Sequence, residues 1–352
     1  NNTSVGVRWR PPNISAWSAR QIRAERHADQ SLAELETAQR DLAAQVRLLH
    51  ARWLNLGEQH RNATTAIEVR DRLRTLIGRQ LEHQAATVLD RNLAELDYLE
   101  AIADREEIEG QRVATYRDLI TALGVAPDTE YQPVASAQPT CRLPDGDLEP
   151  LIARARSSAP ELRGLRAQHA EAGAEIDSAH LELIPWFDFV HVGFELGEGP
   201  TRWQWGANDG DYAALRLRLS INFPLFDWKQ AEVAGWRARQ ARLAAEQRAA
   251  EAEAEGGVRR AVEELRGRVA LVERHDSVDA TVVEASLGQI DRALDAGEVD
   301  LVQMALLQRR ILATQRDRLR AILRCQESAI ELARLTGDAV LTGASGAAPR
   351  QR

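Results

Sequence analysis

Two periods of hydrophobic residues alternate along this chain. Over long segments, apolar residues recur about every 3.5 to 3.6 positions, a spacing typical of amphipathic helices. Between these segments, short stretches alternate apolar and polar residues, which indicates strands with two different faces. The periods predict helices over residues 14–82, 88–123, 148–183, 227–294 and 299–336, and strands over residues 4–10, 186–196 and 212–223.

The predicted strands sort their side chains by polarity. One face carries Val5, Val7, Trp9, Val190, Val192, Phe194, Leu215, Leu217, Leu219 and Ile221. The other face carries Arg8, Arg10, His191, Glu195, Arg216, Arg218, Ser220 and Asn222. Such strands suit a barrel wall between lipid and water, although a strand of a soluble sandwich would alternate in the same way. Because three short strands cannot form a stable sheet alone, we expect several copies of the chain to associate.

The helices are too long for a compact domain. At about 1.5 Å per residue, the helix over 227–294 would be roughly 100 Å long. Gly297 is expected to end it in a turn at 295–298, so that the next helix returns alongside it. Residues 14–123 form a similar hairpin with its turn at 83–87.

The two hairpins are copies of one repeat. Gly124 and Gly337 lie 337 − 124 = 213 positions apart, and other residues recur at the same spacing. These pairs are Leu81 with Leu294, Leu93 with Leu306, Asp104 with Asp317, and Leu119 with Leu332. The first repeat covers residues 1–124 and the second 148–337, with a Pro-rich linker at 125–147 and a flexible tail at 338–352. By symmetry, we expect a leading helix and strand ahead of Asn1.

Charge and composition exclude several classes of function. The formal net charge is -8 with the signs interspersed, which argues against nucleic-acid binding and a polybasic membrane surface. No apolar run reaches the roughly 18 residues of a spanning helix. The eight histidines have no helical metal-binding spacing, and we find no phosphate-binding loop or nucleophile elbow. We therefore expect no catalytic residue, no metal and no cofactor.

Cys141 and Cys325 are the two cysteines of the chain. Cys141 lies in the Pro-rich linker, and Cys325 lies within a predicted helix. A periplasmic disulfide and two free thiols both fit these positions, and the sequence favours free thiols.

Several short segments carry a family resemblance. They are INFPLFD at 221–227, ALDAGEVD at 293–300, APEL at 159–162 and LIP at 183–185. Together with the duplication, and in this order, they make the chain similar to the TolC family of outer-membrane efflux proteins over nearly its whole length.

This resemblance implies a homotrimer in the cell outer membrane that extends into the periplasm. Its strands would form one shared β-barrel, continued by a long antiparallel α-helical barrel. The polar strand face would line the lumen, and the apolar face would meet lipid. The trimer would pass small molecules or secreted proteins outward, in a tripartite efflux pump or a type I secretion system, with a periplasmic adaptor and an inner-membrane pump as partners.

The resemblance also implies that the helical turns form the periplasmic entrance and contact the adaptor. The residues concerned are His83, Gln84, Thr87, Asp90, Asp295, Gly297, Glu298, Asp300 and Gln303. Family members often close this entrance with acidic rings, at positions where this chain has Gln303 and Leu306. Asp90, Glu298 and Asp300 could supply acidity instead, or such carboxylates could simply stabilise helix N-termini.

Two further questions stay open at this level. The arginines of the polar strand face either make the lumen positive, favouring anions, or form ion pairs with Glu195 and loop acids. Family barrels use four strands per chain whereas this chain offers three, which is why we expect a further segment ahead of Asn1.

The alternative function is a non-channel coiled-coil scaffold of the periplasm.

Overall fold

A computed structural model describes residues 3–11, 14–126, 141–144, 147–181, 186–198, 211–222, 229–296 and 301–337. Its elements are β1 (Thr3–Trp9), α1 (Ile14–Glu82), α2 (Val88–Leu123), α3 (Leu148–Ser158), α4 (Pro160–Leu181), β2 (Trp186–Glu198), β3 (Asp211–Asn222), α5 (Gln230–Ala296) and α6 (Leu301–Thr336). The chain divides into two units, Asn1–Glu36 with Pro160–Glu251, and Thr37–Ala159 with Ala252–Arg352.

The first unit contains a three-stranded antiparallel sheet in the order β1-β2-β3. In the same unit, helix α4 packs through small residues. Ala172 and Ala179 are buried, and Gly164 lies close to Ala33 of α1. An ion pair between Arg23 and Glu175 (2.6 Å) also joins α1 to α4. Small side chains allow helices to approach closely, which explains the alanine-rich composition of these segments.

The second unit has its own apolar core where α3, α5 and α6 meet. Ile152 of α3, Val258 and Leu265 of α5, and Leu332 of α6 are almost fully buried there. Helix α1 joins α6 through polar contacts, because the buried Asn55 side chain donates to the Leu319 carbonyl oxygen at 2.8 Å. This hydrogen bond satisfies an amide that would otherwise be buried between the helices without a partner.

A disulfide joins Cys141 to Cys325, so the expectation of two free thiols is wrong. The bond ties the segment 141–144 to α6 across 184 residues of sequence. Cys325 is fully buried, and Cys141 packs with Leu143 against the core of the second unit. The linker therefore contributes apolar side chains and a covalent link to this core.

The helix predicted over 148–183 is two helices, which corrects the sequence prediction. Pro160 disfavours helical geometry for the residue before it, and Ala159 is accordingly extended, with φ -63° and ψ 115°. Proline fits the first position of a helix, where its missing N–H costs nothing, and Pro160 begins α4. The break also brings Ser158 within reach of α6, where its hydroxyl donates to the Thr336 carbonyl oxygen at 3.1 Å.

Helices α2 and α6 end in the same way. Each has 36 residues, and Gly124 and Gly337 follow them with φ of 66° and 68°. A left-handed residue at this position closes the last helical turn, and glycine adopts it without strain. At Gly337 a larger residue would also be tightly placed, because a Cβ atom would lie 3.1 Å from Ser158 Oγ and 3.2 Å from Arg40 Nη2, and these side chains would have to shift.

Some of the other predicted boundaries fall at or beyond the ends of the described ranges. Helix α5 continues to Ala296, beyond the predicted end at residue 294, and the predicted turn residues Gly297 and Glu298 lie outside the described residues. The predicted tail at 338–352 also lies outside them. Within the described ranges, no helix combines the length and the apolarity needed to cross a membrane.

We predict that the disulfide stabilises the second unit. The variant Cys141→Ser with Cys325→Ser should lower the free energy of unfolding by about 2–4 kcal/mol, because the bond closes a long loop. Thermal unfolding with and without a reductant measures this: the reductant should destabilise the native protein and leave the double variant unchanged. Two alkylatable thiols in the denatured, non-reduced native protein would contradict the disulfide.

Candidate functional site: a two-faced sheet and the end of a helical hairpin

The register of the sheet aligns its apolar residues in continuous rows. Val7 faces Val192, which faces Leu217, and the neighbouring rows follow the same order from β1 to β3. Those rows are Val5 with Phe194 and Leu215, and Trp9 with Val190 and Leu219. One whole face of the sheet is therefore apolar.

This apolar face is uncovered in the protomer. Val7 is 71% exposed and Leu217 is 64% exposed, and Trp9, Phe194 and Ile221 are also exposed. Soluble monomers seldom leave such a contiguous apolar surface in water. The face therefore requires an apolar environment outside the protomer.

The opposite face carries basic side chains that lie against the sheet. The guanidinium of Arg8 stacks on the Phe189 ring, 4.4 Å from its centroid. Arg216 pairs with Glu195 at 2.5 Å, and the Glu195 side chain is almost completely buried. Of the two interpretations of the arginines, ion pairing with Glu195 thus holds for Arg216.

The remaining polar residues of the strands occupy the same face. Arg218 faces His191, and Ser220 faces Phe189. Arg10 follows β1 and is exposed, as Arg218 is. The backbone of Asn222 ends β3 opposite that of Trp186, and the Asn222 side chain lies outside the described residues. The structure therefore groups Arg8, His191, Arg218 and Ser220 on the same side of the sheet as the Arg216–Glu195 pair.

The hairpin end between α1 and α2 lies in the second unit. Gln84 has a positive φ of 59°, which reverses the chain after α1. Thr87 then caps α2: the Asp90 N–H donates to Thr87 Oγ1 (3.2 Å), and the Thr87 N–H donates to Asp90 Oδ2 (2.8 Å). The side-chain and backbone hydrogen bonds from Thr87 lower the pKa of the Asp90 carboxyl group. Asp90 therefore stabilises the helix N-terminus, the second of its two predicted roles.

The structure describes only some of the other predicted entrance residues. His83 and Gln84 are exposed at the first turn. Asp295 belongs to the last turn of α5 and Gln303 to the first turn of α6, where their backbones are described. Gly297, Glu298 and Asp300 lie outside the described residues. The second turn therefore stays a prediction.

Sequence reasoning missed a ladder of charges between α2 and α6. Asp97 pairs with Arg309, and Asp104 lies 3.8 Å from Arg316. In each helix the two residues are seven positions apart, a spacing that places them on one face and could have revealed the ladder. These contacts join two helices that run in the same direction.

A small cavity of about 70 Å³ lies beside this ladder, between α1, α2 and α6. Gln59 and Arg70 of α1 and Leu312 of α6 line it. Burial and the neighbouring guanidinium of Arg309 lower the pKa of Arg70, while Glu100 and Asp104 oppose this shift. Within the described ranges, no three His, Cys, Asp or Glu side chains are grouped to hold a metal ion.

Comparison with solved structures gives long matches at low sequence identity. A membrane protein from Pseudomonas aeruginosa matches with a TM-score of 0.74 at 15% identity, over 96% of this chain and 84% of that one. The outer-membrane channel OprN matches with a TM-score of 0.73 at 16% identity, over 97% and 81% of the two chains. CusC, described for its transmembrane channel formation, gives 0.71 at 17% identity, over 96% and 82%.

The chain has the fold of an outer-membrane channel protomer. This fold confirms the predicted class in its coarse form, a mainly helical protein with a small sheet. It is also the fold that the resemblance to the TolC family implies. No protein-family model matches the sequence, and a search of curated proteins gives no match. The likeness therefore lies in three-dimensional structure far more than in sequence.

We predict that the capping box fixes the hairpin end of this channel fold. Thr87→Ala should speed amide hydrogen exchange in the first turn of α2, because the Asp90 N–H then loses its acceptor and the Asp90 carboxylate loses the hydrogen bond from the Thr87 hydroxyl. Since the pKa of Asp90 is lowered in the folded protein, this stabilisation is present at neutral pH and is lost as the pH falls through that pKa. Exchange measured by mass spectrometry tests both effects.

Thr121→Ala is the matched control for this variant. Thr121 is also exposed on α2, but its hydroxyl donates to the Arg117 carbonyl oxygen far from the capping box. The control should leave exchange in the first turn unchanged. Equal exchange in that turn for the native protein and Thr87→Ala would mean that the box does not hold the end of the helix.

Proposed function

We propose that this protein is the channel subunit of an outer-membrane duct, which passes small molecules or secreted proteins from the periplasm to the exterior. The proposal is supported by the fold shared with OprN and CusC, which are described as channels. The protein performs no chemical step in this role. Solutes cross because the wall separates water from lipid.

The observation that carries the proposal is the two-faced sheet. Its apolar face is continuous across three strands and exposed, and its polar face bears Arg8, His191, Arg216 and Arg218. A strand pair in a membrane barrel has this arrangement, with apolar residues towards lipid and polar residues towards water. A periplasmic scaffold would leave the apolar face in water, which is unfavourable by about 25 cal/mol per Å².

The sheet needs further strands to close. Within the described residues, β1 and β3 are edge strands, each paired on one side only. An open edge in lipid leaves N–H and C=O groups without partners, at a cost of several kcal/mol each. A homotrimer satisfies these groups if its protomers contribute their strands to one shared barrel.

The helices continue the duct into the periplasm. The internal duplication is supported by α2 and α6, which have equal lengths and begin 301 − 88 = 213 residues apart. Two similar hairpins per protomer give a trimer a ring of alternating, near-equivalent helical pairs. Such a ring forms a helical barrel of the same symmetry as the membrane barrel.

The periplasm is the compartment of the helices in this proposal. The disulfide between Cys141 and Cys325 supports an oxidising environment, since such bonds persist in the bacterial periplasm and are rare in the cytosol. The hairpin ends, with His83 and Gln84 exposed at one of them, would form the entrance. A periplasmic adaptor and an inner-membrane pump, of a tripartite efflux or type I secretion system, would dock there.

Charged substitutions on the two faces of β3 test the proposal. An arginine facing lipid near the membrane centre costs about 2–4 kcal/mol, whereas a lumen-facing one is tolerated. We expect purified native protein to form conducting pores in planar bilayers, Leu217→Arg to form few, and Ser220→Arg to form as many as the native protein. Absence of native conductance, or equal pore formation by both variants, would overturn the channel role.

A further inference from the structure

We propose that Arg8 and Arg218, which flank His191 on the polar face of the sheet, form a belt of positive charge that gives the duct a preference for anionic solutes. The inference rests on the proposed channel function and assigns a selectivity-determining role to these residues. The ligand class is that of carboxylates and phosphates, which guanidinium groups recognise through charge and hydrogen bonds.

The belt follows from the register of the sheet. Arg8 faces His191 across the β1–β2 pair, and His191 faces Arg218 across the β2–β3 pair. Neighbouring strands are about 4.8 Å apart, so the backbones of the three residues form one row across the width of the sheet. The Arg8 guanidinium extends over Phe189, and the His191 ring lies over Gly6 and Gly193. The row runs around the lumen of a closed barrel, and each protomer adds two arginines and one histidine to it.

Two glycines fix the position of His191. Gly6 and Gly193 face each other in the next row, and the imidazole lies over them. A Cβ atom on Gly6 would be 2.6 Å from His191 Nε2, and one on Gly193 would be 2.9 Å from His191 Cε1. Such distances are shorter than van der Waals contact, so only glycine leaves room for the ring. The ring therefore lies beside the row of Arg8 and Arg218, over the two glycines.

The charges around His191 leave the row positive. Arg8 approaches from β1, Arg216 and Arg218 from β3, and Glu195 lies on the same strand as His191. Glu195 is buried and bound to Arg216, so these two charges balance each other locally. Arg8 stacks on Phe189, a contact that orients the guanidinium without neutralising it. Arg8 and Arg218 thus supply the net charge of the row.

Arg8 and Arg218 are both exposed on the polar face of the sheet. Fixed charges act over about 8 Å at physiological ionic strength, so the belt acts on ions that pass near the wall. We therefore expect a graded preference for anions, without closure of the pore.

Reversal potentials in planar bilayers under a KCl gradient test the belt with the full-length native protein. We expect the native protein to prefer chloride over potassium, and Arg8→Gln with Arg218→Gln to lose this preference. With inorganic phosphate in place of chloride, the native protein should again be more selective for the anion than Arg8→Gln with Arg218→Gln.

The matched control uses an arginine away from the sheet, Arg242, which is exposed on α5. We expect Arg242→Gln to keep the preference for chloride. If the belt variant does not assemble, the sign of the reversal potential of the native protein still decides whether the pore prefers anions.

The outcomes separate this inference from the channel role. Native pores whose ion preference is cationic would overturn the belt and leave the channel role intact. The same holds if Arg8→Gln with Arg218→Gln retains the full preference for chloride. Lack of any conductance in the native protein would overturn the channel role, and the belt with it.

Discussion

A strand whose alternate side chains are apolar and charged needs different surroundings on its two sides. In this protein the requirement is extended over a whole sheet, because the register of β1, β2 and β3 aligns like residues with like. The apolar rows leave a large exposed surface, and the polar rows place arginines on the other side. In the proposed channel, lipid covers one face and water the other, so each kind of side chain meets the surroundings that stabilise it. The proposed assembly, its location and its selectivity all depend on this constraint.

The helical part meets a different requirement. Long helices bury only a narrow stripe each, so their stability depends on close packing of small residues and on specific polar links. The core around Ile152, Val258 and Leu332 supplies the packing in the second unit. The disulfide and the ladder of Asp97 with Arg309 supply links between segments distant in sequence. These contacts hold the helices without the large globular core that compact domains use.

Much of this architecture is encoded in local patterns, which explains why it could be predicted. A period of two assigns each strand residue to a face before the partner strand is known, so Val7 and Arg8 are separated by sequence alone. The break at Pro160 could also have been predicted, because proline restricts the backbone conformation of the residue before it. The apolar period continues from α3 into α4, however, and therefore indicated a single helix. The coarse fold could be predicted from the sequence because it, too, follows from these local patterns.

What could not be predicted depends on pairing between distant segments. The Cys141–Cys325 bond requires the linker to lie against α6, which no local pattern specifies. Whether Arg216 pairs with Glu195, and whether His191 lies over Gly6, is decided by strand register.

The central claim is that several protomers close their two-faced strands into one wall. Electron cryo-microscopy of the detergent-purified oligomer measures this most directly. The account predicts a hollow cylinder with threefold symmetry, with detergent around the face that contains Val7 and Leu217. A monomer or dimer that remains soluble without detergent and has no central channel would contradict it.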